Sequence, residues 1–206
     1  MADTPRRRGQ TGDTPAKVDG RFLRTERTRQ RIIEAVLALL QQGKDPTANE
    51  IADHAGCSVR SVFERFHDMV ALRTAAADYA LAEVITTAPT SADQTDRPGR
   101  VGSHIALHAG TCEQIMALWR TLLVHQDESE HLRQRIVEAR ASAQVRTELA
   151  FAPELESLPP ERRHERLMVI ESLLDFDQWL LMREHHGLSF DESCEVWIAA
   201  VDRLLP

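Results

Sequence analysis

The sequence predicts an all-α protein, and three observations lead to this prediction. Apolar residues recur at spacings of three and four along most of the chain, as they do on one face of a helix. No stretch alternates between apolar and polar residues as a half-buried strand would. The chain has 206 residues, of which 42% are hydrophobic, so it can build one substantial core. We therefore expect about nine helices, divided between a small N-terminal domain and a larger C-terminal domain.

The first predicted helix covers residues 25–42 and ends at Gly43. Its apolar residues recur at helical spacing: Ile32, Ile33, Val36, Leu39 and Leu40. The preceding residues 1–21 contain Gly, Pro and a run of three arginines, with almost nothing apolar to bury. We expect this basic arm to be disordered in the absence of a partner.

Residues 47–66 have the pattern of two short helices joined by a tight turn. Thr47 and Glu50 form a capping box, so a helix starts directly after Thr47. Gly56 tolerates the positive φ that the turn requires and ends this helix. Ser58 caps the next helix, whose outward residues are Arg60, Ser61, Glu64 and Arg65. This arrangement is typical of a DNA-binding helix-turn-helix, in which the second helix enters the major groove.

The charge distribution agrees with a local DNA-binding surface. The net charge of −7 and the pI of about 5.7 argue against a chain coated by nucleic acid over its whole surface. However, residues 1–66 carry 12 Lys and Arg against 9 Asp and Glu, a net charge of +3, which leaves −10 for the remainder. The basic residues therefore collect beside the helix-turn-helix, with the sign that phosphate groups attract.

The remaining helices follow from breaks in the apolar pattern. Residues 69–86 continue as a helix, and the Pro, Ser, Asp and Gly of residues 89–99 predict a loop. Later breaks are expected at Gly110, Asp127, Pro159-Pro160 and Gly187. The predicted helices between them cover residues 101–109, 111–125, 129–151, 161–185 and 190–205.

Several classes of protein are excluded by what the sequence lacks. No segment approaches the roughly 18 consecutive apolar residues of a membrane-spanning helix, and the polar N terminus lacks the apolar core of a secretory signal. Cys57, Cys112 and Cys194 show no CxxC spacing, so we expect neither a disulfide framework nor a zinc site. Without a nucleophile–base motif, a Gly-rich phosphate loop or HExxH, we expect no enzyme and no cofactor. The expected location is the cytoplasm, in association with the nucleoid.

The order of these features from residue 24 to residue 72 is distinctive. A basic-flanked helix is followed by Glu50-Ile51-Ala52, Ala55-Gly56 and then a Ser, Phe and Phe before a fourth helix. This stretch resembles the tetracycline-repressor (TetR) family of bacterial regulators. Residues 176–179, residues 187–192 and the closing apolar helix are similar to the family's C-terminal end. The resemblance implies a homodimer on double-stranded DNA, with a helix-turn-helix domain at residues 22–68 and a ligand-binding and dimerisation domain at residues 69–206.

Three residues depart from the family pattern at the predicted DNA contacts. Phe63 stands where the family usually has Tyr, which removes a hydroxyl for phosphate, and Met69 stands where a phosphate-contacting Lys is common. Arg60 stands where a small residue is frequent, and it is expected to read guanine or, alternatively, to hold a phosphate. The basic arm of residues 1–21 is expected to contact DNA or, alternatively, to be only a solvated tail. The predicted DNA-contacting residues are Arg6, Arg7, Arg8, Arg24, Thr47, Ser58, Val59, Arg60, Ser61, Phe63, Arg65 and His67.

A pocket for a small-molecule effector is expected around two histidines. His104 and His108 lie four residues apart on one helical face, a spacing that two metal ligands also use, but no third ligand accompanies them, so we expect no metal site. Neutral histidines beside apolar walls suit a ligand pocket, whereas packing without a ligand is the alternative. Trp119 is expected in the pocket wall or in the core. The predicted ligand-contacting residues are His104, His108, Met116, Trp119, Leu123, Phe176 and Trp179.

The last two predicted helices carry an apolar series that suits a four-helix interface between two subunits. The alternative is that these residues belong to the subunit's own core. The predicted interface residues are Leu173, Leu180, Trp197, Val201 and Leu204. Together with the resemblance, this predicts a repressor that a small molecule releases from a near-palindromic operator. The alternatives are an activator or a DNA-organising protein without a metabolite, and an interaction module that has lost DNA binding.

Overall fold

The computed structural model describes residues 20–87 and 96–206, and every regular element in these two stretches is helical. The predicted all-α class is confirmed. Among the described helices, none combines the length and the hydropathy that a bilayer crossing requires. The helices are α1 (Gly20–Leu40), α2 (Ala48–Ala55), α3 (Val59–Arg65), α4 (Met69–Thr87), α5 (Arg97–His125), α6 (Glu130–Ala150), α7 (Ala152–Leu155), α8 (Pro160–Leu173), α9 (Phe176–Leu180) and α10 (Phe190–Leu204).

Helices α1, α2 and α3 pack against one another as an N-terminal helix-turn-helix unit. Its inner faces bury Ile32, Ile33, Val36, Ile51, Val62 and Phe66. Helix α4 leaves this unit and packs against α1 at one end and against α5 and α6 further along. It therefore joins the N-terminal unit to the C-terminal helices.

Helix α5 is the centre of the larger C-terminal part, where it contacts α4, α6, α9 and α10. The three tryptophans of the chain, Trp119, Trp179 and Trp197, are all fully buried around it. The rings of Trp179 and Trp197 lie 4.9 Å apart, centroid to centroid, and Trp119 lies 4.5 Å from Phe176. Aromatic packing between α5, α9 and α10 thus forms the heart of this core.

The predicted break at Gly110 is wrong, because α5 continues through it for 29 residues. A glycine inside a helix costs only about 1 kcal/mol relative to alanine. The buried neighbours Ala109 and Cys112 pack against the core, and this tertiary packing outweighs the local penalty. The first turn of α5 was also expected to be loop. Asp96 caps it instead, since its carboxylate accepts the N–H of Gly99 at 2.9 Å.

Two further boundaries differ from the predictions. The helix expected over residues 161–185 is interrupted at Leu174, because Asp175 caps a new helix by accepting the N–H of Asp177 at 2.9 Å. Helix α9 then ends in a π-helical turn, Leu181–His185. Helix α1 begins at Gly20, inside the segment expected to be disordered, and the single-turn α7 was not predicted.

Candidate nucleic-acid interface and ligand cavity

The start of α2 is held by the predicted capping box. The backbone N–H of Thr47 donates to Glu50 Oε2 at 2.8 Å, and the N–H of Glu50 donates to Thr47 Oγ1 at 3.4 Å. The hydrogen bond from the Thr47 N–H lowers the pKa of the Glu50 carboxyl. The Thr47 hydroxyl also donates to that carboxylate at 2.8 Å, so this hydroxyl is already engaged in the cap.

The turn between α2 and α3 depends on Gly56 and on an arginine of α1. Gly56 has a φ of 61°, in the left-handed region that favours glycine. Arg31 Nη2 donates to the backbone oxygens of Ala55 and Gly56, the second at 3.2 Å. These carbonyls close a helix that leaves them without partners inside it. Sequence patterns missed Arg31, because an arginine beside Ile32 on a basic helix gives no local signal of a partner more than 20 residues away.

Helix α3 presents the predicted reading face to solvent. The hydroxyl of Ser58 accepts the N–H of Ser61 at 3.1 Å, as predicted for the cap. The side chain of Arg60 is 87% exposed and pairs with Glu64, with 2.8 Å between Nε and Oε1. Because exposed pairs one helical turn apart are weak, this pair can open when a stronger acceptor such as a phosphate or a guanine edge approaches.

The other residues predicted to contact DNA differ in exposure. Arg65 points back along its own helix, since Nη1 donates to the backbone oxygen of Ser61 at 3.0 Å and the side chain is partly buried. Phe63 and His67 are exposed, whereas Val59 is half-buried against the core. Arg24 is exposed on α1. Arg6, Arg7 and Arg8 lie outside the described residues.

A cavity of about 410 Å³ lies between α6 on one side and the end of α8 on the other, with α5 at its base. Drug-sized ligand sites have volumes of this order. Of the predicted ligand residues, His108 and Phe176 line it. The wall residues that sequence reasoning missed come from α6 and from the α8–α9 junction: Val137, Arg140, Ala141, Ala143, Gln144, Thr147, Glu171, Ser172, Leu174 and Asp175.

The two histidines are buried and parallel, with ring centroids 6.1 Å apart. His108 Nε2 donates to the backbone oxygen of Leu174 at 2.6 Å, and His104 Nε2 lies 3.1 Å from Thr147 Oγ1. Burial lowers the pKa of His104 to about 3 and that of His108 to about 4, so both rings are neutral near pH 7. In the described stretches, no three potential metal ligands converge on one point. His104 thus lies behind the cavity wall and His108 in it.

The remaining predicted ligand residues lie in or beside the core rather than in the cavity wall. The indole N–H of Trp119 donates to Asp177 Oδ1 at 2.8 Å, and that of Trp179 donates to Glu113 Oε2 at 2.9 Å. Met116 and Leu123 are half-buried against the hydrophobic core. Trp119 nevertheless adjoins the cavity, because the Arg140 guanidinium carbon lies 5.4 Å from the centroid of its ring.

The residues predicted for the dimer interface divide into two groups. Trp197 and Val201 are fully buried within the subunit, so they are placed in its own core, which was the alternative prediction. Leu173, Leu180 and Leu204 are half-buried. The apolar side chains that α8, the π-helical turn and α10 leave exposed are others: Met168, Val169, Leu181 and Val196.

Four side chains connect the N-terminal unit to the C-terminal part through ionisable groups, and we call them the interdomain cluster: Asp45, Arg73, His125 and Glu128. Arg73 of α4 pairs with Asp45, ahead of α2, at 3.1 Å and with Glu128 at 3.3 Å. His125, at the end of α5, lies 3.0 Å from Asp45 and 2.7 Å from Glu128 through its two ring nitrogens. The side chains of Arg73 and His125 are only 14% and 13% exposed, so the cluster is more than a surface contact.

Comparison with known proteins gives its result at the level of the fold. No protein-family model matches the chain, and no curated protein matches it. Solved structures do match. A TetR-family transcriptional regulator from Streptomyces coelicolor aligns with a TM-score of 0.65 at 18% identity, over 87% of this chain and 79% of its own.

Two further solved structures show the same relationship. A Mesorhizobium loti protein assigned to the TetR family of transcriptional regulators aligns with a TM-score of 0.65 at 18% identity, over 88% of this chain and 96% of its own. The multidrug-binding protein EbrR, solved in complex with imidazole, aligns with a TM-score of 0.57 at 19% identity, over 87% of this chain and 93% of its own. The chain has the fold of TetR-family regulators, with an N-terminal helix-turn-helix and a C-terminal helical domain.

Proposed function

We propose that the chain is a DNA-binding transcriptional regulator that acts as a homodimeric repressor and leaves its operator when a small molecule binds. The observation that carries this proposal is helix α3, a capped helix in a helix-turn-helix whose Arg60 stands almost fully exposed. The TetR-like fold of the whole chain supports it. In this proposal the chain has no catalytic role and needs no cofactor.

The effector site that we propose is the cavity between α6 and α8. Its walls combine apolar side chains with a few polar groups, which is the composition of most small-molecule sites. The interdomain cluster provides a physical connection from α5 to the segment ahead of α2. A ligand that shifts α5 would therefore change the position of the helix-turn-helix, but only by as much as the ligand prefers the shifted state.

Dimerisation is proposed through α8, the π-helical turn and α10. Met168, Val169, Leu181 and Val196 are about half exposed there, and apolar surface of this kind gains free energy when a second copy covers it. A two-fold dimer would carry two α3 helices, which must lie about 34 Å apart to enter successive major grooves. Light scattering on the purified chain tests this: we expect two subunits per particle.

The decisive experiment is fluorescence anisotropy on a duplex from the DNA upstream of the chain's own coding region, with excess unrelated DNA and varied salt. We expect saturable binding of two subunits per site, and affinity that falls steeply as salt rises, because counterions are released from phosphates. Absence of any preference over the competitor would direct the search to operators elsewhere in the genome. If no site were found there, the proposal would be wrong.

Arg60→Ala tests the role of α3 directly. If Arg60 reads a base, operator affinity falls by about tenfold or more, with relaxed choice at one base pair, whereas a phosphate contact weakens all sequences equally. A matched control is Arg133→Ala, since the side chain of Arg133 on α6 is 44% exposed and also pairs with a glutamate of its own helix, Glu130. The control should bind DNA as the unaltered chain does. Equal binding by both variants would contradict the role of α3.

A further inference from the structure

One side chain of the cavity wall has a polar atom without a hydrogen-bond partner among the described residues. Glu171 lies near the end of α8, and its Oε1 is buried with no hydrogen-bond donor among the described residues. The Gln144 side chain hydrogen-bonds to the same carboxyl group. Buried polar atoms nearly always have partners, so the protein itself satisfies the Glu171 carboxyl group only in part.

The charges of the cavity wall do not cancel. Arg140 is already matched twice, because its Nε lies 2.9 Å from Asp175 Oδ2 and its Nη2 lies 2.8 Å from Asp177 Oδ2. The buried histidine of the wall is neutral near pH 7. Glu171 is therefore the wall's uncompensated charge among the described residues. Burial and the nearby Glu148 raise the pKa of Glu171, as expected for an acid whose charge lacks a counter-ion.

The charged groups just outside the wall have other neighbours. Arg146 of α6 donates to Ser142 Oγ at 2.7 Å, and its charge acts on the two buried histidines. His164 of α8 acts on Glu171 and opposes the effect of Glu148. The rest of the wall combines the uncharged polar side chains of Gln144, Thr147 and Ser172 with apolar ones: Val137, Ala141, Ala143, Leu174 and Phe176. Val137, Ala141, Gln144 and Ser172 are exposed, so the cavity is a cleft with partly apolar walls and one carboxylate that no cation of the wall compensates.

We infer that the cavity takes a small organic cation, a protonated amine on an apolar body whose N–H group donates to Glu171. This inference rests on the proposed function, in which the cavity is the effector site. A cation compensates the charge of the Glu171 carboxylate and donates a hydrogen bond to it, whereas a neutral donor supplies only the hydrogen bond and an anion is repelled. The apolar body packs between α6 and Phe176.

The test compares three probes of similar size and different charge: 2-phenylethylammonium, 2-phenylethanol and 3-phenylpropanoate. Calorimetric titration of the full chain at pH 7 should show the ammonium binding about tenfold or more tightly than the alcohol, because hydrogen bonds to charged groups are the stronger ones. The carboxylate should bind most weakly. An alcohol or carboxylate that binds as well as the ammonium, or an ammonium that does not bind, would overturn the inference without any variant.

Glu171→Gln keeps the size of the side chain and removes its charge. We expect the preference for ammonium over alcohol to fall to less than about threefold in this variant. The matched control is Glu148→Gln, the same change at an exposed position of α6 outside the wall, which should keep most of the preference. If both variants kept the full preference, Glu171 would not be the partner of the amine.

The operator assay separates this inference from the proposed function. If the ammonium binds at Glu171 and the operator complex is unaffected, the ligand class stands and ligand-controlled repression is wrong. If only neutral or anionic compounds release the operator, repression stands and the ligand class is wrong.

Discussion

The two halves of the molecule satisfy their polar groups over very different distances along the chain. In the helix-turn-helix, Thr47 pairs with Glu50 and Ser58 pairs with Ser61, each three residues apart. In the C-terminal half, His108 reaches Leu174 and Trp179 reaches Glu113, each 66 residues apart. Apart from the hydrogen bonds of Arg31 to the end of α2, the N-terminal motif is therefore shaped by rules that act within one helical turn. The C-terminal half is shaped by how whole helices pack.

The largest loss of stability should come from Trp179→Ala, which tests the long-range packing of the C-terminal half. Removing a fully buried indole leaves a cavity between α9 and α10 and takes one donor from Glu113, so we expect a loss of about 3–5 kcal/mol in the free energy of unfolding. Urea unfolding measures it. Trp179→Phe keeps most of the packing and should lose clearly less. Equal losses for both variants would mean that the hydrogen bond, rather than the packing, carries the stability.

The buried histidines predict a dependence of stability on pH. Their folded-state pKa values, about 3 and about 4, lie below the unfolded value of about 6.5, so the unfolded chain binds more protons between these limits. Their contribution is complete above pH 6.5 and is lost as pH falls toward 4. At pH 5 we expect a loss of about 2 kcal/mol for each histidine relative to pH 7.

Unfolding in urea at pH 7 and pH 5 checks this dependence. The double variant His104→Gln, His108→Gln should lose much of the difference between the two pH values. His54→Gln removes an exposed histidine of α2 and should keep the difference. A double variant with unchanged pH dependence would show that other groups cause it.

Two glycine substitutions should change stability in opposite directions. Gly56→Ala places a side chain on a residue with positive φ, with its Cβ 2.8 Å from Arg31 Nη2, and should cost about 1–2 kcal/mol. Gly110→Ala meets nothing within 4 Å and lies inside α5, so it should stabilise by about 0.5–1 kcal/mol. Melting temperatures compare the two. A stabilising Gly56→Ala would contradict the structural role of the turn.

Comparably small effects are expected at the two capping boxes, one in each half. Thr47→Ala and Ser189→Ala each remove a hydroxyl that accepts the N–H of the third helical residue, from Glu50 and Glu192, and should each cost about 1 kcal/mol. Similar losses would show that local caps act alike in both halves. The difference between the halves would then lie only in the long-range contacts. A much larger loss for one cap would show that local caps do not act alike in the two halves.

The features that were predictable from the sequence are those that a few neighbouring residues determine. The caps at Thr47 and Ser58, the turn at Gly56 and the all-α class follow from spacing and from residue type, and the structure contains them. The break expected at Gly110 was wrong because the low helix preference of glycine is a local property, whereas the packing of α5 against the core decides there.

The cavity could not be predicted in the same way. Glu171 and Gln144 lie on two helices whose relative position depends on the interruption at Leu174 and Asp175, which no periodic pattern signals. Apolar spacing identified Trp197 and Val201 as residues that must be buried. It does not distinguish burial within the same subunit from burial against a second subunit. Two of the seven predicted ligand residues, His108 and Phe176, line the cavity.

The hydrogen bonds of Arg31 have a mechanical consequence. Because this side chain of α1 holds the last carbonyls of α2, the turn between α2 and α3 is tied directly to α1. In the proposed DNA complex, a mismatch with the operator is taken up where α1 meets α4 and α5 rather than within the turn. A small tilt of α1 there would then change the position of α3, which packs against it.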